Sequence, residues 1–294
     1  MNALLRHRAS RGFTLVEAIL VIVIIGVVAG IVAVFIRAPV IGYTESAERA
    51  SVSDEADLAL RRMARDLRLA LPNSVRVAAD GSAIEFLLTS TGGRYLSVDD
   101  DVPGLPALDF DDASQRNFAV IGGTMRPIER GNYIVVYNLG DAIVPSDAYG
   151  FRSGGPNTNI ARVEAVANPA GPMPIVTLES NAFAMQEVAM VSPNRRFQVV
   201  TTPVTYQCMT LKDGSLGLVR YWDYDINAAP LFPPQGSPRQ AVIASRVDNC
   251  NNIFQYGTAA TRASALVILN LSLRPRGGNG VVNLVHQVHV DNTP

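Results

Sequence analysis

The sequence predicts an α+β protein in which a long N-terminal helix, half of it in a membrane, packs its second half on a mainly antiparallel β-sheet domain. Three observations lead to this prediction. An apolar run extends from Phe13 to Ile36, helical periodicity continues to Leu71, and alternating segments separated by turn residues fill the rest of the chain. A helical region followed by a run of strands is typical of this fold class.

The apolar run is long enough for a membrane helix. Between Phe13 and Ile36 the only polar side chains are those of Thr14 and Glu17. As a helix this segment rises roughly 36 Å, whereas a hydrocarbon core is about 30 Å thick. Its Ile and Val content would also suit a strand, but a strand of this length is unusual in a soluble domain. We therefore expect residues 13–36 to form a transmembrane helix.

Residues 1–12 form a leader that predicts the orientation of this helix. They contain Arg6, Arg8 and Arg11 and no acid, and basic segments of this kind stay on the cytoplasmic side. No small-residue cleavage site follows the apolar run, so the leader is unlike a secretory signal that is removed together with its apolar region. The expected location is the inner membrane, crossed once, with the N-terminus cytoplasmic and the C-terminal domain periplasmic.

Glu17 lies inside the apolar run, where an unpaired carboxylate costs on the order of a few kcal/mol. Cleavage between Gly12 and Phe13 would create an α-amine one helical turn from this carboxylate. The geometry of that pair is poor within one chain, whereas between two chains side by side the Glu17 of one can reach the amine of the next. Glu17 is therefore predicted to dock one subunit on the next. The alternative is a signal anchor that carries an incidental acid.

The segment from Arg11 to Glu17, with the apolar helix after it, resembles the prepilin signature of type IV pilins and type II secretion pseudopilins. The resemblance implies that prepilin peptidase cuts after Gly12 and that the new N-terminal Phe13 is methylated. It implies that Glu17 guides docking on other pilin subunits. A pilin-like fold, contact with membrane lipid and contact with the inner-membrane pilus assembly machinery are also implied.

Residues 37–72 are predicted to continue the helix in the periplasm, because apolar residues recur on one face and Pro72 ends the pattern. The members of this stripe are Leu60, Met63, Ala64, Leu67 and Leu71. Other faces carry an arginine cluster that suits either an interaction surface or a solvated helix face: Arg61, Arg62, Arg65 and Arg68. Within the membrane run, Gly26 and Gly30 predict close helix packing or reflect the tolerance of membrane helices for glycine.

Residues 73–294 are predicted to form one β-rich globular domain. The predicted strands are 83–89, 117–121, 132–137, 162–167, 175–178, 197–207, 216–223, 241–246, 263–273 and 281–290. A glycine-rich loop at 274–280 joins the last two as a C-terminal hairpin. Cys208 and Cys250 are the only cysteines, and in an exported domain a disulfide is the simplest prediction. Two free thiols or a metal site are the alternatives.

Charge and motifs limit the functions of the chain. The formal net charge is −1, and removal of residues 1–12 leaves 22 basic and 26 acidic side chains, or −4, which does not indicate a nucleic-acid partner. Acids cluster between Asp99 and Asp112, where they either bind Ca²⁺ or form a solvated loop. His286 and His289 are predicted to lie on opposite faces of a strand, so they cannot share a metal ion.

No HExxH, GxSxG, Walker A or GxGxxG motif is present, so we predict no enzyme activity, no cofactor and no metal site. The stretches 58–77 and 285–292 resemble minor pilins of mannose-sensitive haemagglutinin (MSHA) pilus systems. This resemblance implies a subunit that primes the filament or lies at its tip. The alternatives are a type II secretion minor pseudopilin and, in another class, a membrane-anchored periplasmic enzyme or receptor domain.

Overall fold

The computed structural model describes residues 12–151, 156–256, 266–277 and 280–293. The described residues divide into two units, one that contains residues 12–51 and one that contains most of the chain from Val52 onward. The fold is the predicted α+β type, with one long apolar N-terminal helix followed by a mainly antiparallel β-sheet domain.

Helix α1 is Leu15–Leu67, and it continues through Pro39 without interruption. The helix ends about one turn before the predicted boundary at residue 72. The reason lies in the sheet, because the Leu71 N–H donates to the Leu87 carbonyl at 2.8 Å instead of continuing the helical ladder.

The strands are β1 (Arg76–Val77), β2 (Ala83–Tyr95), β3 (Asn117–Ile121), β4 (Tyr133–Val135), β5 (Ile160–Ala167), β6 (Ile175–Leu178), β7 (Arg196–Thr210), β8 (Leu216–Trp222), β9 (Arg239–Ala244), β10 (Phe254–Gln255), β11 (Leu266–Leu273) and β12 (Val282–His289). Strands β3 and β6 have the predicted bounds. Strands β2 and β7 are longer than predicted, and β1 and β10 were not predicted at all.

Nine strands form one antiparallel sheet in the order β1-β2-β3-β6-β5-β4-β7-β8-β9, and β2 also pairs with β7. This additional pairing closes β2, β3, β6, β5, β4 and β7 into a small barrel. Register shifts between Leu88 and Thr91 bend β2 where it passes from the open part of the sheet into the barrel. Apolar side chains such as Phe118, Ile134 and Phe197 fill the barrel interior.

The second half of α1 packs on the open part of the sheet and on the small C-terminal sheet. Every residue of the predicted stripe from Leu60 to Leu71 is buried, which confirms the stripe. Met63 and Leu67 belong to a core that also contains Tyr206 of β7 and Leu269 of β11. The helix therefore supplies one wall of the main core of the sheet domain.

The C-terminal sheet has the order β10-β11-β12 and contains the predicted hairpin. Burial alternates along β11, and the register places His286 opposite the buried Leu269. His289 is exposed on the other face, as the period of two requires. The predicted disulfide is present: it joins Cys208 of β7 to Cys250, with the two Cα atoms 5.4 Å apart.

Candidate assembly surface on the N-terminal helix

The start of α1 is built around Thr14 and Glu17. The Glu17 N–H donates to Thr14 Oγ1 at 3.3 Å, and the Ala18 N–H donates to the Thr14 carbonyl at 3.1 Å. Thr14 is therefore the N-cap of the helix. Sequence reasoning treated Thr14 only as a polar interruption, although Thr-x-x-Glu ahead of an apolar run is a known N-terminal capping pattern. The cap places the Glu17 carboxylate in the first helical turn, where the helix dipole favours a negative charge.

The apolar half of α1 is uncovered. Every residue from Gly12 to Arg37 is exposed, and Phe13 at the predicted cleavage site is 75% exposed. The helix is long and apolar enough to cross a membrane, and none of its most apolar stretch is buried within the chain. An apolar surface of this extent needs lipid or other helices around it. The segment is therefore suited to membrane anchoring and to helix-to-helix assembly.

The Glu17 carboxylate has no cation within 4.0 Å among the residues that the structure describes. The leader, including Arg11, lies outside those residues. Nothing in the described part of the chain therefore neutralises this acid within its apolar surroundings. A charge partner from another molecule would remove the cost of leaving it unpaired.

Gly26 and Gly30 lie on the same uncovered part of the helix. A Cβ atom built on either glycine would meet no other group of the described residues within 4 Å. Packing within this chain therefore does not require glycine at these positions. Both predicted explanations, close approach of another helix and simple tolerance, are compatible with this placement.

The second half of α1 is held on the sheet by buried ionic contacts in addition to its apolar stripe. Asp66 Oδ2 accepts from Arg220 Nε of β8 and from the Tyr206 hydroxyl of β7, each at 2.8 Å. Burial, with the nearby Asp66 charge, raises the pKa of Tyr206, so this hydroxyl keeps the proton that it donates. One helical carboxylate thus ties two strands to the helix.

Glu55 provides a second, half-buried contact between the helix and the sheet domain. Its Oε1 accepts from the Ser245 N–H at 2.6 Å and from the Ser245 hydroxyl at 2.8 Å, and its Oε2 lies 3.1 Å from Arg246 Nη2. The carboxylates of Asp66 and Glu55 fix the rotation of the helix about its own axis. The remaining faces of this half of α1 consequently point away from the sheet.

The arginine cluster occupies one of these outward faces. Arg61 forms an ion pair with Asp57 one turn earlier, at 2.7 Å, and both side chains are largely exposed. Arg62, Arg65 and Arg68 are also exposed, and no described acid lies within 4.0 Å of them. The geometry fits both predicted interpretations, an interaction surface and a solvated face.

In the acidic stretch, carboxylates accept hydrogen bonds from nearby groups of the chain itself. Asp109 accepts from the backbone N–H groups of Asp111 and Asp112, and Asp112 accepts from Ser114. These contacts build tight turns. In the described residues no group of three or more His, Cys, Asp or Glu side chains is arranged to hold a metal ion.

One family profile, described as the prokaryotic N-terminal methylation motif, matches residues 7–33. This match covers the predicted cleavage site, the capped helix start and most of the apolar run. It supports a type IV pilin-like or pseudopilin protein, and it implies processing by a prepilin peptidase and assembly with other pilins. No curated protein and no solved structure matches the chain.

Proposed function

We propose that this chain is a minor pilin of a type IV pilus of the MSHA type, similar to MshO, which acts in pilus assembly and initiation or at the tip. The precursor lies in the inner membrane with its N-terminus in the cytoplasm and its C-terminal domain in the periplasm. Prepilin peptidase cuts after Gly12, Phe13 is methylated, and the mature chain passes from the assembly machinery into the pilus. The function requires no catalysis by the chain and no cofactor.

The placement of Glu17 carries the pilin-like part of this proposal, and the resemblance of residues 58–77 and 285–292 to MSHA minor pilins supports the finer part. The placement of Glu17 combines a carboxylate in the first turn of an exposed apolar helix, no cation partner in the described chain, and a matched cleavage motif immediately before it. A neighbouring subunit that presents the charged amine of its own Phe13 would neutralise this acid. Because the pair forms only between processed chains, it selects mature subunits for assembly.

Glu17→Ala and Glu17→Gln test this step in the native host. Both remove the charge, and Gln keeps the size and polarity of the side chain. We expect cleavage to remain largely intact while incorporation into the filament and pilus number fall. Glu45→Gln, an exposed acid farther along the same helix, is the matched control. Normal pilus number and normal incorporation of both Glu17 variants would contradict the docking role.

The cleavage step has a separate test. Replacing Gly12 with a bulky residue should block the peptidase, because the small residue at the scissile bond is lost. N-terminal sequencing or intact-mass spectrometry of the membrane-extracted protein should find Phe13 as the first residue of the wild type and the uncut leader on the variant. A mature Phe13 end on the Gly12 variant would contradict this assignment, and an uncut wild type would indicate a tethered domain.

A type II secretion pseudopilin shares every feature of the N-terminal helix and is the second candidate. The two candidates differ in the filament that they join. Deletion of the gene should abolish pili in the first case and secretion of folded exoproteins in the second. A deletion strain with intact pili and defective secretion would favour the pseudopilin.

A further inference from the structure

Two arginines face each other on the outside of the β-barrel. Arg94 of β2 and Arg196 of β7 are direct partners in the antiparallel register, and both side chains are exposed. Directly opposite residues have Cβ atoms roughly 5 Å apart on one face of a sheet, and like charges in this arrangement are destabilising. The charges of Arg94 and Arg196 therefore repel each other and destabilise the fold at this position.

The other arginines on the strands have stabilising partners. Each has an acid or an aromatic ring as a partner: Arg76 with Glu85, Arg162 with Glu179, Arg220 with Asp66, and Arg239 with Trp222. By contrast, no acid in the described parts of the chain lies within 4.0 Å of Arg94 or Arg196. The adjacent Arg195 is already engaged, because it pairs with Asp100 and lies 3.8 Å from Asp99.

The next cross-strand pair on the same face of these strands lines a groove beside the arginines. Gly92 lies opposite Gln198, and a Cβ atom at Gly92 would come within 2.7 Å of Gln198 Oε1. The same Cβ atom would lie 3.0 Å from the Phe197 carbonyl oxygen, so a side chain at this position would displace the end of Gln198 and crowd the groove. The open groove has a volume of about 810 Å³ and is also lined by Pro193 and Asn194.

The lining of the groove indicates the chemistry of its occupant. Arg94 and Arg196 supply two guanidinium groups that no described acid neutralises, and Asn194 and Gln198 supply amide groups. Guanidinium groups bind carboxylates through two parallel hydrogen bonds, and amides suit hydroxyl groups. Phe197 points into the barrel core and offers the groove no apolar side chain. An occupant rich in carboxylates and hydroxyls is therefore favoured over an apolar one.

Apart from these guanidinium and amide groups, the groove offers few contacts to a polypeptide. Strand β7 pairs with β2 along the groove and also with β4 at Gln198, so both edges of β7 are occupied at Gln198 and cannot take an added strand there. The groove also lacks the apolar pockets that anchor peptide side chains. A chain of sugar units that carries regularly spaced carboxylates needs neither feature.

We propose that this groove binds a carboxylate-bearing polysaccharide, with Arg94 and Arg196 holding its carboxylates and Gln198 its hydroxyls. The groove lies on the exported barrel, and its role is separate from the docking of the N-terminal helix. A filament subunit with such a site would attach to an acidic glycan surface or matrix. The site does not depend on cleavage at Gly12 or on Glu17.

Binding of the purified full chain in detergent to polygalacturonate is the test. Arg94→Gln with Arg196→Gln should weaken binding by about 30-fold or more, since hydrogen bonds to charged groups are the strong contacts of such a site. The double variant should be at least as stable as the wild type in urea, because a like-charge pair is relieved. Arg126→Gln with Arg130→Gln is the control of equal charge change on exposed residues, and it should bind within about twofold of the wild type.

Two further measurements test the shape of the groove and the kind of polymer that it binds. Gly92→Ala leaves the charge unchanged and crowds Gln198, so it should weaken binding by about tenfold while the control variant does not. Neutral dextran should not bind. Equal losses in the two double variants, no binding of the wild type to polygalacturonate, or tighter binding of poly-L-glutamate than of polygalacturonate would each overturn the proposal. Because this assay does not involve assembly, its failure leaves the pilin proposal unaffected.

Discussion

Replacing Asp66 with Asn tests how the sheet domain is held on α1. The Asp66 carboxylate accepts hydrogen bonds from Arg220 and Tyr206, and the side chains of Arg220 and Asp66 are only 8% and 14% exposed. The Asn variant leaves a buried guanidinium without its counter-charge, which costs roughly 3–5 kcal/mol. The ring of Trp222, 4.8 Å from this guanidinium, retains part of its stabilisation. We therefore expect a loss of about 3 kcal/mol in the free energy of unfolding.

The assay is urea unfolding of the full chain in detergent, followed by the fluorescence of the single tryptophan, Trp222. With a slope of about 2.5 kcal/mol per molar, the urea midpoint should fall by about 1.2 M. Asp57→Asn is the matched control, because Asp57 also pairs with an arginine but at the surface of the same helix. The Arg61 and Asp57 side chains are 75% and 50% exposed, so this variant should lose less than about 1 kcal/mol.

The urea midpoints of Asp66→Asn and Asp57→Asn show whether burial strengthens the Asp66 contact. If both midpoints shift by the same small amount, burial does not strengthen the Asp66 contact, and the reasoning is refuted. A double variant, Asp66→Leu with Arg220→Met, should recover much of the loss, because it leaves no unpaired charge in the core. A double variant as unstable as Asp66→Asn would point to packing damage instead of an unpaired charge.

Three other predictions follow from the sheet domain. Cys208→Ser, or reduction of the disulfide to Cys250, removes a cross-link between positions 42 residues apart and should cost about 4 kcal/mol in urea unfolding; a midpoint unchanged by reductant would contradict this. Met63→Ala empties a fully buried position and should cost about 3 kcal/mol, whereas a loss below about 1 kcal/mol would show that the core collapses around the gap. Burial raises the pKa of Tyr95 to about 12, so its contribution to stability is complete below about pH 10 and is lost as pH rises from 10 to 12. Tyr95→Phe should reduce this alkaline loss when midpoints at neutral and alkaline pH are compared, and an unchanged loss would exclude Tyr95 as its source.

The C-terminal end of β2 could not be predicted from the sequence pattern alone. The predicted strand ends at residue 89, because the following Ser-Thr-Gly-Gly segment lacks apolar alternation. In the structure β2 continues to Tyr95, since β7 supplies hydrogen-bond partners along the whole of this segment. The two short strands β1 and β10 were missed for the same reason. Each of these strands forms because a longer neighbouring strand supplies its backbone hydrogen-bond partners.

The candidate assembly surface was predicted almost entirely from sequence. Its features are a cleavage motif, an acid at a fixed spacing and an uninterrupted apolar run, and all of them lie within one short segment. The Thr14 cap was overlooked although its spacing to Glu17 was visible. The groove at Arg94 and Arg196 had no comparable signal, because its two arginines are about one hundred positions apart in the chain.

Local sequence patterns were enough to predict the apolar helix, the buried stripe from Leu60 to Leu71 and the alternating strands. Periodicity of 3.6 or 2 places side chains on one face whatever the rest of the chain does. Three features became visible only in the folded chain: β2 pairs with β7 to close a barrel, Asp66 meets Arg220, and Arg94 lies opposite Arg196. Those outcomes depend on the register between distant strands, which is set by the packing of the whole core.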